Sequence, residues 1–101
     1  MSFNKLVRDR IPDIIKESGH TPYYRIMNDD EYWNELVKKL QEEVDEFVES
    51  GNIEELADIL EVVYSIALTK KITKEELENI REEKKNERGS FDNKIFLIKK
   101  D

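Results

Sequence analysis

The sequence predicts a mostly α-helical domain, a bundle built on a helical hairpin. Three observations carry this. Apolar residues recur at helical spacing through Trp33, Leu36, Val37, Leu40, Val44 and Phe47. The stretch from Leu56 to Leu68 is apolar almost throughout. Gly19, Gly51 and Gly89, the 3 glycines, each follow a helix-like run, where the left-handed backbone that glycine tolerates ends helices. A chain of 101 residues fits one domain, 1–101, with a modest core that small proteins often supplement by association.

The elements follow in order. IPDIIKESG reads as a short helix begun by Pro12, since proline suits a first helical turn. TPYYRIM, 21–27, is aromatic, and Pro22 opposes helix there, so it reads as a short strand. The long helix spans 28–51, capped by Asn28 or Asp29, with Asp30 and Glu31 suiting its positive end. Asn52 caps a third helix from Ile53 to about Lys70. Thr73 and Glu76 form a capping box for a fourth, from Lys74 to about Arg88. KIFLIKK, 94–100, could pair with 22–27 as a minimal two-strand element.

Composition narrows the function. A formal charge of -7 opposes general nucleic-acid binding, which uses a basic surface. With 0 cysteines there is neither a disulfide framework nor a thiolate metal site. The start, MSFNKLVRDR, lacks a signal-peptide apolar core, and no run approaches the roughly 18 uncharged apolar residues of a membrane span. The expectation is a soluble cytoplasmic protein without a membrane partner.

Against that background, Asp58 and Glu61 stand out inside the most apolar segment. A carboxylate buried alone costs several kcal/mol, roughly, or takes up a proton. Helix geometry, about 100° per residue, sets Glu43 and Glu46 on the flank of the second helix's apolar stripe and sends Glu42, Asp45 and Glu49 outward. Glu55, Asp58 and Glu61 follow one another at i, i+3 on the third helix. In an antiparallel hairpin about Gly51-Asn52, Glu46 lies five residues before the glycine and Glu55 four after; Glu43 and Asp58 lie eight before and seven after. Four carboxylates, Glu43, Glu46, Glu55 and Asp58, therefore meet at matching heights. Their mutual repulsion in a partly dry site is relieved by protons or by a cation, and an oxygen-only set suits Mg²⁺ or Mn²⁺. A solvated charged face is the plain alternative for EEVDE taken alone. A di-iron bundle would need Glu-x-x-His pairs, and the sole histidine, His20, falls in an expected turn.

EEVDE at 42–46 followed by ELAD at 55–58 resembles the ExxE…ExxD signature of the all-α nucleotide pyrophosphohydrolases, the MazG superfamily. NKLVRDRIP at 4–12 and REEKKNERGSF at 81–91 resemble its small house-cleaning branch, described as phosphoribosyl-ATP pyrophosphohydrolase-like. The resemblance covers nearly the whole chain. It implies Mg²⁺-dependent hydrolysis of a nucleoside triphosphate, standard or not, to a monophosphate and pyrophosphate. It also implies a homodimer or homotetramer. Glu43, Glu46, Glu55 and Asp58 would hold the metal, and Glu42 would help orient or deprotonate the attacking water. The eight residues between Glu46 and Glu55 are fewer than in many members, which leaves little loop to hold a base or ribose.

A nucleotide needs cations. Arg81, Lys84 and Arg88 recur along the fourth helix, and Lys5, Arg8 and Arg10 cluster near the start. Of these, Arg8, Arg81, Lys84 and Arg88 are the candidates for phosphate binding; solvation or pairing with the many glutamates is the alternative. Tyr23, Tyr24 and Trp33 could stack on a base, although core packing is the simpler use. Phosphoribosyl-ATP hydrolysis in histidine synthesis and a non-enzymatic helical assembly are the competing functions.

Overall fold

The computed structural model describes residues 4–101. Four helices make up the regular structure among these residues: α1 (Ile11–Glu17), α2 (Asp29–Ser50), α3 (Ile53–Thr69) and α4 (Lys74–Arg88). Helix α2 begins at Asn28, whose side chain accepts the Glu31 N–H at 2.9 Å. Three acids, Asp29, Asp30 and Glu31, fill its first turn, where the partial positive charge of the helix favours them. It ends at Gly51, left-handed at φ 67°, which lets the chain reverse within two residues. Asn52 stands at the cap position of α3 but makes no side-chain cap; its own N–H donates to Ser50 Oγ at 3.1 Å. α4 opens on the capping box formed by Thr73 and Glu76.

Helix α3 ends without a glycine. Lys71 takes the left-handed conformation at φ 61°, and the Ile72 N–H donates to the Ala67 carbonyl at 3.0 Å, closing the last turn. α2 and α3 form the main helix–helix contact; α4 touches α3 and makes none with α2. The core at this interface is thin. Leu36 is the buried apolar residue, with Trp33, Leu40, Val44 and Phe47 half-buried along the expected stripe and Val37 exposed. No residue of α3 is fully buried, despite its apolar composition.

The two-strand element does not form. Residues 22–27 and 94–100 are irregular, unpaired backbone. Tyr23 and Ile26 on one segment and Ile95 and Phe96 on the other lie open to solvent. A lone two-stranded ribbon is marginal in water unless a helix or further strand covers one face, and here neither segment has such a cover.

The molecule is elongated, 61 × 32 × 23 Å, with a radius of gyration of 17.9 Å; a globular domain of this length has about 13 Å. Its surface is 9488 Å², where about 6,000 Å² is usual for a folded monomer of this mass.

Candidate functional site

The acids gather at the turn end of the α2–α3 hairpin. Carboxylate oxygens of Glu43, Glu55 and Asp58 all lie within 4.8 Å of one another. Each comes from a position the hairpin fixes: Glu43 two turns before Gly51 on α2, Glu55 and Asp58 one turn apart near the start of α3. Glu43 is the unusual one. Only 7% of it is exposed, and its Oε2 is buried with no hydrogen-bond partner. Its Oε1 lies 3.7 Å from Lys39 Nζ.

Burial is the main cause that pushes the Glu43 carboxyl above the usual carboxylate range; the Glu46 charge adds to this and Lys39 opposes it. The Glu55 carboxyl is also pushed up, first by desolvation and then by the charges of Glu46 and Asp58. Glu46 itself is exposed and bears electrostatically on both, outside the three-oxygen set. Asp58 is half-buried and receives the Arg8 Nη2 at 2.7 Å. Glu42 is exposed on the outer side of α2, 3.9 Å from Lys39. Glu61, one turn beyond Asp58, is exposed and solvated.

The cations sit differently. Arg8 reaches the acids. Arg81 is engaged by its own helix: its Nε donates to Glu78 at 3.0 Å and its Nη2 to Glu82 at 2.9 Å. Those carboxylates stabilise the charged guanidinium and raise its pKa, the hydrogen bond to Glu78 most. Lys84 and Arg88 are exposed on the part of α4 that follows Ile80, where every residue is exposed. They are not brought to the acids within the chain. Lys5 lies with Asn4 and Leu6 against Glu35, Lys38, Lys39 and Glu42 of α2, lining a crevice of about 130 Å³. Arg10 is exposed at the start of α1.

Trp33 is half-buried at the other end of the hairpin. Its ring faces Lys70, 4.5 Å from the ammonium, and it shares a recess of about 350 Å³ with Tyr32, Leu68 and Thr69. Tyr23 and Tyr24 are exposed. His20 follows α1, with its Nδ1 3.0 Å from Ser18 Oγ. Sequence reasoning overlooked Lys39. The signal was its spacing, three before Glu42 and four before Glu43, which puts it beside both on one helix face.

A set of three clustered carboxylates, one of them buried with an unpartnered oxygen, is chemically suited to a hard cation. Oxygen donors without His or Cys match Mg²⁺ or Mn²⁺, and a cation would satisfy the oxygen that no protein donor reaches. The cluster lies near the surface, so a cation and an anionic ligand would have a common approach.

No family model matches the chain, and no solved structure matches it. A stretch of 42 residues is 60% identical to an uncharacterized protein of Mycolicibacterium smegmatis, covering 42% of this chain and 43% of that protein. The chain thus matches less than half of that relative's length. Among the described residues, no helix is long and apolar enough to cross a membrane.

Proposed function

We propose that the protein is a Mg²⁺-dependent nucleotide pyrophosphohydrolase, cleaving a nucleoside triphosphate between its α and β phosphates. The observation that carries this reading is the buried, unpartnered Glu43 oxygen beside Glu55 and Asp58. The resemblance of EEVDE and ELAD to the MazG-type signature then supplies the reaction. Glu43, Glu55 and Asp58 hold the cation, with Glu46 on the solvent side adding charge. The cation supplies Lewis-acid chemistry, polarising phosphate oxygens and acidifying water. Glu42, which stands outside the cluster, would orient the attacking water only in the role that the resemblance implies. Substrate phosphates meet Arg8 in the same chain.

The partner in this reading is a second copy of the chain, as a homodimer or homotetramer. Its support is α3, which carries no buried residue, together with a surface well above that of a folded monomer. A helix that is apolar around most of its circumference is normally enclosed.

Turnover of standard, deoxy and oxidised nucleoside triphosphates and of phosphoribosyl-ATP, with and without Mg²⁺, tests the function. Pyrophosphate release that requires Mg²⁺ is expected, and the same cation should raise Tm because it binds the folded state. Asp58→Asn should abolish both effects. Wild-type turnover by Asp58→Asn would overturn the site.

A further inference from the structure

The Arg8–Asp58 contact differs in kind from its neighbours. Arg25–Glu31, Lys38–Glu35 and Arg81–Glu78 are local pairs, whereas Arg8 and Asp58 are 50 positions apart. The N-terminal segment delivers Arg8 there: Asn4, Lys5 and Leu6 lie along α2 beside Lys39 and Glu42, and a turn closed by the Ile11 N–H to the Arg8 carbonyl, 3.0 Å, leads into α1. A protein cation thus already rests on one of the three carboxylates that a metal would use.

We propose that Arg8 is the exchangeable counter-ion of the acidic site. It neutralises Asp58 until a divalent cation takes that carboxylate, and it is then released toward the phosphates of the incoming anion. The inference rests on the cation reading of the cluster. Three observations support the exchange. The pair is solvent-exposed, with 58% of the Arg8 side chain and 42% of the Asp58 side chain accessible, so it opens at little cost. The guanidinium presents five N–H donors in a fork that fits phosphate as well as carboxylate. The Arg8 contact is to one Asp58 oxygen, Oδ1, so the carboxylate is engaged rather than enclosed.

The consequence is linkage. A cation and an oxyanion that each draw one member of the pair away help one another to bind, by the same factor in either direction. Arg8 therefore weakens cation binding in the absence of anion and strengthens anion binding once the cation is present.

The experiment measures Mn²⁺ affinity by the free-ion paramagnetic resonance signal, on wild type and on Arg8→Ala, Arg8→Gln and Arg8→Lys, each with its helical content checked. Arg8→Ala and Arg8→Gln should bind Mn²⁺ about two- to fivefold more tightly, the worth of one exposed ion pair that the cation no longer has to break. Arg8→Lys, which keeps the charge, should stay near wild type. At saturating Mg²⁺ the two neutral variants should show a raised KM for nucleotide, so the two affinities move in opposite directions. A merely structural tie would weaken both or neither. Unchanged or weaker Mn²⁺ binding in the neutral variants overturns the exchange and leaves the cluster standing. A wild type that binds no Mn²⁺ overturns the cluster reading itself, and the exchange with it.

Discussion

Residues 38–46 of α2 and 81–88 of α4 are built from nearly the same material, dense Glu with Lys or Arg at helical spacing, yet they end in different environments. On α2 a second helix packs across the segment. Glu43 is enclosed, its carboxyl is pushed up by burial, and Lys39 is drawn beside it. On α4 every residue from 81 to 88 is exposed, and Arg81 pairs with Glu78 and Glu82 on its own helix. The difference teaches that charge density alone does not make a site. An apolar partner must remove water from one carboxylate before its neighbours and a cation matter to it. An imbalance follows: α3, which performs that covering, has no buried residue of its own and leaves Leu56 and Leu60 exposed on its outer side.

The sharpest way to break the comparison is on that outer side. Leu60 is 49% exposed in the single chain. If the chain works alone, Leu60→Lys changes stability by no more than about 0.5 kcal/mol, as surface substitutions do. If a second copy covers α3, the same lysine is driven into an apolar interface and costs several kcal/mol, roughly. The expected outcome is the latter: a wild type that sediments above 12.1 kDa at micromolar concentration, and a variant that dissociates or melts far lower. A stable wild-type monomer with an indifferent Leu60→Lys would end the assembly reading.

How far the sequence reached follows the same line. The four helices were legible because their signals are local: Pro12, Asn28, the Thr73–Glu76 box and the glycines at 51 and 89. The end of α3 was less so, since Lys71 adopts a conformation usually left to glycine. The meeting of Glu43 with Glu55 and Asp58 was legible because a two-residue turn leaves a hairpin little freedom in register. The Arg8 contact to Asp58 was not, because 50 residues of chain separate the partners and no periodicity links them. Nor was the course of α4 after Lys71, which decides whether its cations come near the acids. The strand expectation for 22–27 and 94–100 came from residue type alone, and exposed β-tolerant residues have no reason to pair without a surface to pack on.

A smaller effect sharpens the α4 half of the comparison. Lys84 is exposed and α4 makes no contact with α2, so Lys84→Ala should leave Tm unchanged, alanine being a good helix former. If α4 of a second copy brings its cations to the acids, losing one charge-assisted hydrogen bond to phosphate costs about 1.5–3 kcal/mol, a ten- to over a hundredfold fall in kcat/KM. The expected result is a fall of about tenfold at unchanged Tm. Kinetics within about twofold of wild type, with the fold intact by circular dichroism, would return Lys84 to the solvated surface and leave phosphate binding to Arg8 and the cation.

The smallest expected effect tests the α2 half, through Glu43 itself. Burial and the charge of Glu46 raise its carboxyl above the ordinary 4.5. The folded protein therefore holds a proton that the unfolded chain has released, over the window from about 4.5 upward to the raised value. In that window the folded state binds more protons than the unfolded one, so stability falls as pH rises, and the loss is complete once Glu43 is ionised. Glu55, raised in the same direction, steepens the fall. Glu43→Gln removes the charge but keeps the shape, and its amide can donate to the neighbouring carboxylates. In cation-free buffer at neutral pH the variant should be more stable than wild type by about 1 kcal/mol, the low end for relieving an unsatisfied buried group, or several degrees in Tm. Below about pH 4.5 the two melting temperatures should converge, because wild-type Glu43 is then neutral as well. Added Mg²⁺ should reverse the order at neutral pH, stabilising wild type and leaving Glu43→Gln unmoved. A variant less stable than wild type in cation-free buffer would mean that Lys39, 3.7 Å away, already compensates the charge, and the cluster would then have no need of a cation.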